Sequence, residues 1–427
     1  MMDYRKPEGI DAQLLQSFME QVSAFGCTGD GGVDRPALTD DHAAARNWFR
    51  AELENRGYRV LIDDIGNVFG HIDCAGPEAP LVMLGSHLDS QPKGGRFDGA
   101  YGVVAALAAV ETLRAQASRQ GEMPACNYII ADWMNEEGAR FQPSLMGSSV
   151  FAGLLDRDFA HGRCDRDGRR VRDELTRCGV MGGDTAPRPD CYLEVHIEGD
   201  SKMEKSGARI APFIRFWGAA KLRIEVTGEQ NHTGPTPMSE RRDAVFGAAL
   251  VVTRLRELAG TAKDTLHTSV GRMDISPNSP NIVPGRAELF AELRAPEPET
   301  LEWAEAELRH SLPQLAQKAD VGIEIIAVEH RPAGRFDSRL VSLCETAATA
   351  FGYPTMRLDT IAGHDAVALS AIVPSIVFAV PSVNGVIHRH DEYTSPEDLT
   401  AGGDVLLDMV RRIDRAGGSL DKAVGGT

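Results

Sequence analysis

The sequence predicts an α/β protein with a mixed, largely parallel sheet flanked by helices, and with an inserted α+β domain. Short apolar, β-rich runs recur at 81–84, 128–130 and 192–197, and a helical stretch at 102–113 lies between the first two. A strand, a helix and a second strand in this order imply a parallel sheet covered by helices.

A helix is predicted before these strands, at residues 40–57. Thr39 or Asp40 is the expected N-cap, because a short side-chain oxygen can accept a hydrogen bond from the first turn. Gly57 is the expected stop, since glycine readily adopts the left-handed conformation that ends helices.

The middle of the chain has the pattern of a second domain. Residues 222–227 and 287–294 alternate closer to period two, as expected for strands with one face in water, and helical stretches near 240–258 and 299–317 accompany them. After Phe336 the first pattern returns, with a helix, a buried run at 374–380 and a helix from about Pro396. We therefore predict a first domain built from residues 1–212 and 330–427, with residues 213–329 inserted into it.

Composition excludes several functional classes. The 427 residues carry a formal net charge of −17, which argues against nucleic acid or an anionic membrane as a partner, because both require clustered Lys and Arg. No apolar run approaches the roughly 20 residues that span a bilayer, and the N-terminus lacks the apolar core of a secretory signal, so a cytoplasmic location is expected. The seven cysteines include no Cys-x-x-Cys pair and are interpreted as buried thiols.

Candidate chemistry follows the first strand, in the segment GSHLDSQPKGGRFDGAYGV at 85–103. His87 and Asp89 lie at the strand's C-terminal end, where open α/β sheets place their sites. Asp98 follows in a glycine-rich loop at the start of the next helix, where the helix dipole favours an anion. The alternative is a simple helix N-cap beside a surface histidine, which the segment alone leaves equally open.

Three further clusters follow apolar strands. Glu136 and Glu137 follow the second strand. Two such adjacent carboxylates can have different roles, one binding a cation while the other transfers protons. His196 lies on a strand face with Glu194 and Glu198, and His388 follows the run at 374–380 with His390 and Glu392 nearby.

Each cluster alone has an ordinary structural explanation, but independent surface groups have no reason to recur at the same end of successive strands. The clusters therefore indicate an open catalytic site for Zn²⁺, Mn²⁺, Co²⁺ or Ni²⁺, which accept histidine and carboxylate ligands.

Seven segments, in order, resemble one known family. They are GSHLDSQPKGGRFDGAYGV, NEEGARF, EVHIEGD, NHTGPTPMSERRDA, PNSPNIVPGRAELFAELRAP, AGHDA and HRHDEYTSPED. Together they resemble the dinuclear metallo-aminoacylase and carboxypeptidase family, in its branch of N-carbamoyl-L-amino-acid hydrolases, allantoate amidohydrolases and β-ureidopropionases. The resemblance implies a zinc-exopeptidase-like fold, an inserted lid and dimerisation domain, and a homodimer.

The resemblance also implies the roles of the clustered residues. Two divalent ions per subunit, Zn or Mn with Co or Ni possible, would be held by His87, Asp98, Glu137, His196 and His388, with Asp98 bridging the ions. Glu136 would be the general base that takes a proton from the metal-bridging water, and Asp89 would orient the imidazole of His87.

On the inserted domain, the resemblance implies contacts to a small amide or ureido acid that has a free carboxylate. His232 would reach the oxyanion, from its own subunit on closure or from the partner. Asn281 and Arg294 would hold the α-carboxylate, to which the planar guanidinium is suited, and His364 would line the same pocket. Without the resemblance, a loop histidine and a solvated strand-end arginine are the commoner interpretations.

One departure affects the substrate. Carbamoylases of this branch generally read His-Ile-Glu-Gln-Gly where this chain reads 196-HIEGD-200, so Gly199 replaces a glutamine that helps to recognise the ureido end. The leading hypothesis is hydrolysis of an N-carbamoyl-L-amino acid or related ureido acid, and the alternative is an N-acyl-amino-acid hydrolase or dipeptidase for a larger acyl group. A non-enzymatic binding protein is the third hypothesis, and the presence of all five ligand candidates and Glu136 argues against it.

Overall fold

The computed structural model describes residues 7–425, which fold into two compact units. The first unit comprises residues up to 214, 336–358 and 362 onward, and the second comprises residues 215–335 with 359–361. The predicted limits of the inserted domain, 213 and 329, differ by a few residues, because the last long strand of the second unit continues to Arg331.

The strands are β1 (Arg59–Ile62), β2 (Val68–Ile72), β3 (Leu81–His87), β4 (Asn127–Trp133), β5 (Cys191–Ile197), β6 (Ala211–Phe216), β7 (Gly218–Thr227), β8 (Asn231–His232), β9 (His267–Ser276), β10 (Ile282–Val283), β11 (Arg286–Ala295), β12 (Gly322–Arg331), β13 (Gly334–Arg335), β14 (Leu358–Thr360) and β15 (Ser375–Val380). The α-helices are α1 (Ala12–Ser23), α2 (Asp40–Asn55), α3 (Ala100–Gln120), α4 (Met146–Phe151), α5 (Arg157–His161), α6 (Val171–Arg177), α7 (Lys202–Ser206), α8 (Ala244–Thr261), α9 (Pro298–Ala319), α10 (Ser338–Phe351), α11 (Asp365–Leu369), α12 (Pro396–Arg415) and α13 (Leu420–Gly425).

The main sheet has the order β1-β2-β4-β3-β5-β15-β6-β13, with β14 beside β6. Its four central strands, β4, β3, β5 and β15, run parallel, and antiparallel strands flank them on both sides. Every residue of the four central strands is buried, because helices cover both faces of a parallel sheet. The predicted mixed, largely parallel sheet is confirmed, and its parallel centre brings the C-terminal ends of β3, β4, β5 and β15 to one edge.

The helices before and between these strands also match the sequence pattern. In α2 the Thr39 hydroxyl accepts a hydrogen bond from the backbone N–H of His42 at 3.3 Å, as the predicted N-cap. The helix ends at Asn55, and Gly57 then takes a φ of 81°. The predicted helix at 102–113 is longer than expected, since α3 extends to Gln120 before Gly121 ends it in the left-handed region.

The second unit contains a four-stranded antiparallel sheet of order β12-β7-β11-β9 and the short pair β10-β8. Strand β7 alternates buried and half-buried residues from Ala220 onward, which is the period-two pattern of a sheet with one covered face. Its apolar side chains pack with those of α8 and α9 in a separate core.

Two expectations from composition have different outcomes. Within residues 7–425, no helix is both long and apolar enough to cross a membrane. The interpretation of the cysteines as buried thiols is wrong for part of the set: Cys27 and Cys164 are exposed and Cys74 and Cys178 are half-buried. A pattern of spacing that excludes a disulfide framework does not determine burial, and these four residues lie outside the sheet strands.

Candidate active site

Asp98 lies at the centre of the candidate site, in the loop between β3 and α3. Its Oδ1 atom is 3.1 Å from Nε2 of His196 and 3.8 Å from Nε2 of His87, and its Oδ2 atom is 3.0 Å from Nε2 of His388. The side chain is 5% exposed. One carboxylate therefore presents its two oxygens to histidines from different strand ends.

The predicted ligand residues form two groups that share Asp98. The first ligand group is His87, Asp98 and His196, and the second ligand group is Asp98, Glu137 and His388. Within each group the candidate donor atoms all lie within 4.8 Å of one another. In the second group, Oε2 of Glu137 is 3.3 Å from Nε2 of His388.

Backbone carbonyls orient two of the histidine rings. Nδ1 of His87 donates to the carbonyl oxygen of Asp89 at 2.9 Å, and Nδ1 of His196 donates to that of Ile197 at 3.0 Å. Such hydrogen bonds fix the tautomer and direct Nε2 toward an ion. Asp89 thus contacts the His87 ring through its carbonyl, and its carboxylate lies 3.6 Å from the same nitrogen.

The Asp89 carboxylate instead holds the two adjacent glutamates. Its Oδ1 accepts a hydrogen bond from the backbone N–H of Glu136 at 3.1 Å, and its Oδ2 accepts one from that of Glu137 at 3.3 Å. Oε2 of Glu136 then lies 3.5 Å from Nε2 of His87, whereas Glu137 faces His388. The two glutamates therefore face different histidines, and only Glu137 is among the candidate ligands.

Burial and charge act in opposite directions on the histidines. Burial lowers the pKa of His87 to about 4, so its imidazole is neutral at pH 7. Burial also favours the neutral form of His196 and His388, but the contact with Asp98 raises the pKa of each to about 9. The same two contacts hold the pKa of Asp98 well below its ordinary value, although burial alone would raise it.

The pKa values of the two glutamates, Glu136 and Glu137, are raised. Burial, followed by the charges of Asp365 and Glu137, raises the pKa of Glu136 well above its ordinary value. Burial and the charge of Asp98 raise the pKa of Glu137 to about 8. Carboxylates buried this close to one another need positive charge nearby to stay ionised, and bound cations supply that charge.

The donor set fits divalent metal ions. Oδ2 of Asp98 is buried, and its contact among the described residues is the one with Nε2 of His388 at 3.0 Å. A buried carboxylate with so few partners is costly, and coordination to a cation would lower that cost. Histidine and carboxylate donors without cysteine are typical of catalytic Zn²⁺ or Mn²⁺ sites, which keep a position open for water.

His364 packs against the first ligand group. Its ring lies 4.6 Å from that of His196 in an edge-on arrangement and stacks on Phe213 at 5.7 Å. His364 also forms a third donor group with Glu194 and His196. Glu194 is already engaged, because Ser86 donates to its Oε1 at 2.8 Å and the backbone N–H of Ala366 donates to its Oε2 at 2.8 Å.

The three remaining predicted residues belong to the second unit. His232 and Asn281 are brought together, because Ile282 pairs with His232 in the antiparallel β8–β10 pair and the carbonyl of Asn281 accepts a hydrogen bond from the backbone N–H of Thr233. Both side chains are exposed. Nδ1 of His232 accepts a hydrogen bond from the backbone N–H of Gly234 at 3.0 Å, so a proton on this ring would sit on Nε2.

Arg294 lies near the C-terminal end of β11, in the four-stranded sheet. It is paired with Ala219 and His267, while Asn281 lies beyond the end of β11 that begins at Arg286. Eight residues of strand separate the two ends, or roughly 25 Å. Arg294 donates to the carbonyl of Ile361 and to Glu292, beside a cavity of about 700 Å³. Within one chain the structure therefore does not bring Asn281 and Arg294 to one carboxylate.

Sequence reasoning gave no role to Glu392, which supports the central ligand. Its Oε1 accepts hydrogen bonds from the backbone N–H groups of Phe97 at 2.9 Å and Asp98 at 3.1 Å. Gly95 makes this possible, since a Cβ there would lie 1.9 Å from the Glu392 carboxyl carbon. The glycine-rich loop that contains Gly95 was the feature of the sequence that could have indicated this contact. His390, noted in the sequence as an extra histidine, is exposed and is in none of the ligand groups.

Comparisons with known proteins identify a family for this chain. A family model described as Peptidase family M20/M25/M40 matches residues 83–412. A relative from Mycolicibacterium smegmatis that carries only a general hydrolase name is 42% identical over 424 residues, covering 98% of this chain and 96% of the relative. An N-carbamoyl-L-amino-acid amidohydrolase of Rhizobium meliloti is 33% identical over 403 residues, covering 94% and 96%.

The fold is also similar to that of a solved structure. A crystal structure of an amidase of the hydantoinase/carbamoylase family from Burkholderia vietnamiensis superposes with a TM-score of 0.90 at 33% sequence identity. The match covers 96% of this chain and 99% of that one. The similarity therefore extends through both units and is not confined to the ligand segments.

Proposed function

The chain belongs to Peptidase family M20/M25/M40 and is an amidohydrolase of the carbamoylase and allantoate amidohydrolase type, and on this premise we propose that it hydrolyses the C–N bond of an N-carbamoyl-L-amino acid or a related ureido acid. The family resemblance and the expectation of an amide-bond hydrolase are confirmed by the same matches. The observation that supports the reaction best is the placement of Asp98 between two ligand groups, with Glu136 beside them.

We assign two divalent ions, Zn²⁺ or Mn²⁺ with Co²⁺ or Ni²⁺ as other candidates, to the two ligand groups. His87 and His196 would hold one, Glu137 and His388 the other, and Asp98 both. When bound, the ions would polarise the scissile carbonyl and lower the pKa of a water molecule. The carbonyl hydrogen bonds to His87 and His196 keep each Nε2 directed toward this place.

Glu136 is the proposed general base. It takes a proton from the attacking water and passes it to the leaving nitrogen, so that a charged leaving group is avoided. Asp89 acts on this step indirectly, because its carboxylate fixes the backbone from which Glu136 projects. His232, with Nδ1 engaged, would donate from Nε2 to the oxyanion.

Recognition of the substrate carboxylate is assigned to Arg294 and Asn281. Since Asn281 precedes β11 and Arg294 lies near the far end of that strand, we expect that a single carboxylate does not contact both in the same chain. We therefore propose a homodimer in which a second copy supplies Asn281 and His232 to the site that uses Arg294. His364, packed against His196, would border the substrate on the side of the first ligand group.

A second candidate function is hydrolysis of a larger N-acyl group, as by an N-acyl-amino-acid hydrolase or dipeptidase. At Gly199 the expected glutamine amide is absent, and a Cβ there would meet Cγ2 of Ile387 at 3.3 Å and Cδ1 at 3.8 Å. An apolar side chain thus occupies the neighbourhood of the missing amide. This change supports an acyl group that needs no hydrogen bond at that position.

The product formed distinguishes the two candidates. We expect the metal-loaded protein to release ammonia together with the free amino acid from N-carbamoyl amino acids, and to act more slowly on N-acetyl analogues with the same side chain. Ammonia and ninhydrin-reactive amine are measured in parallel on the matched pairs. Amine release from the N-acyl series, with no ammonia from any ureido acid, would reject the leading candidate in favour of the second.

Removal of metal should abolish activity reversibly. Dialysis against a chelator is expected to leave the fold intact, because both units have their own apolar cores, but to remove carbonyl polarisation and water activation. Circular dichroism and turnover are followed as Zn²⁺, Mn²⁺, Co²⁺ or Ni²⁺ is added back, and the ion that restores most activity at lowest concentration is the working ion. Full activity in metal-free protein would contradict the proposed function.

A further inference from the structure

Gln91 lies two residues beyond Asp89, in a turn that contains none of the candidate metal ligands. The backbone N–H of Gln91 donates to Oε1 of Glu137 at 3.1 Å, and its side-chain Nε2 donates to Oε2 of Glu137 at 2.9 Å. One residue therefore holds both oxygens of a candidate ligand. Gln91 belongs to neither ligand group.

The turn that carries Gln91 is itself fixed. The carbonyl oxygen of Gln91 accepts a hydrogen bond from the hydroxyl of Ser90 at 2.9 Å and one from the backbone N–H of Gly94 at 3.1 Å. The Gln91 side chain is half-buried beside a Glu137 side chain that is only 5% exposed. The turn therefore holds the two donors in place, and a group that is already ordered costs little further entropy when a ligand binds beside it.

The contact with Gln91 fixes the orientation of the Glu137 carboxylate. Oε2, which accepts from the Gln91 amide, is also the oxygen that lies 3.3 Å from Nε2 of His388. A carboxylate oxygen has two lone pairs, so one can accept a hydrogen bond while the other binds a cation. Without the amide, the carboxylate could rotate away from His388, and the repulsion from Asp98 would favour that rotation.

From these contacts we infer that Gln91 is a positioning residue that sets the affinity of the second ligand group for its ion, independently of the first. The inference rests on the proposed two-metal function. The first ligand group has its own orienting contacts, the carbonyl hydrogen bonds to His87 and His196, and Gln91 makes none of them. Loss of such a supporting hydrogen bond typically weakens metal binding by about 10–100-fold.

The test is a Zn²⁺ titration of the metal-free full-length protein against a chelating indicator. Wild type should bind two ions in two steps. Gln91→Met keeps the length of the side chain and removes its amide group, so one of the two steps should lose about 10–100-fold in affinity while the other stays unchanged. Gln13→Met, on the exposed face of α1, is the matched control and should leave both steps as in wild type.

Two readouts separate positioning from a general structural effect. The thermal midpoint of metal-free Gln91→Met should match that of wild type, and the visible absorption of the Co²⁺-loaded protein should change for only one of the two equivalents. Equal weakening of both steps, or no change in either, overturns the inference while the proposed function stands. Wild type that binds no second ion rejects the two-metal centre, and the inference with it.

Discussion

Glu136→Gln should reduce turnover by about 10²–10⁴-fold or more, since the amide cannot take a proton from the attacking water. The two side chains have nearly the same shape, and the hydrogen bond that Asp89 accepts comes from the backbone of residue 136, so the surrounding geometry is preserved. Because Glu136 is in neither ligand group, the bound metal per chain should equal that of wild type. Turnover and metal content are measured on the same preparation.

Glu137→Gln is the variant with which Glu136→Gln is compared. Residue 137 is a member of the second ligand group, so its variant should lose one ion as well as activity. Glu122→Gln, on the exposed turn after α3, controls for removal of a carboxylate alone. If Glu136→Gln retained wild-type turnover, or if it lost metal as Glu137→Gln does, the division of labour between the two glutamates would be refuted.

The fold and the location of the candidate site followed from the sequence because both depend on local pattern. The apolar runs at 81–84, 128–130 and 192–197 correspond to β3, β4 and β5, and a parallel arrangement brings their C-terminal ends to one edge. Residues that follow those ends, such as His87 and Glu136, therefore meet in space although 48 positions separate them in the chain. Strand order and periodicity carry that information without any knowledge of side-chain contacts.

The supporting contacts could not be predicted in the same way. Gln91 and Glu392 act through hydrogen bonds to a ligand carboxylate and to loop backbone, and an amide or acid in a polar loop gives no distinctive pattern. Asp89 contacts the His87 ring through its carbonyl, and sequence spacing does not indicate whether a residue acts through its carbonyl or through its side chain. The separation of Asn281 from Arg294, by contrast, follows from the length of β11, which corresponds to the strand predicted at 287–294.

Arg46→Met should lower the free energy of unfolding by about 3–5 kcal/mol, the usual cost of removing one partner of a buried ion pair. Arg46 and Asp132 are both fully buried, and Nε of Arg46 lies 2.6 Å from Oδ2 of Asp132. Arg46 also donates to the carbonyl of Gly66, and Oδ1 of Asp132 accepts from the backbone N–H of Leu88 at 2.9 Å. The variant would therefore leave a carboxylate without its cation directly beneath the His87 loop.

The double variant Arg46→Met with Asp132→Asn identifies the cause of that loss. Asparagine can still accept from Leu88 through its amide oxygen but carries no charge, so most of the lost stability should return. Chemical denaturation of metal-free wild type, both single variants and the double variant gives the coupling free energy. A loss below about 1 kcal/mol for Arg46→Met, or a double variant no more stable than it, would mean that burial of unpaired charge is not what the pair prevents. Since Leu88 follows His87, recovery of stability in the double variant should be accompanied by recovery of metal affinity in the first ligand group.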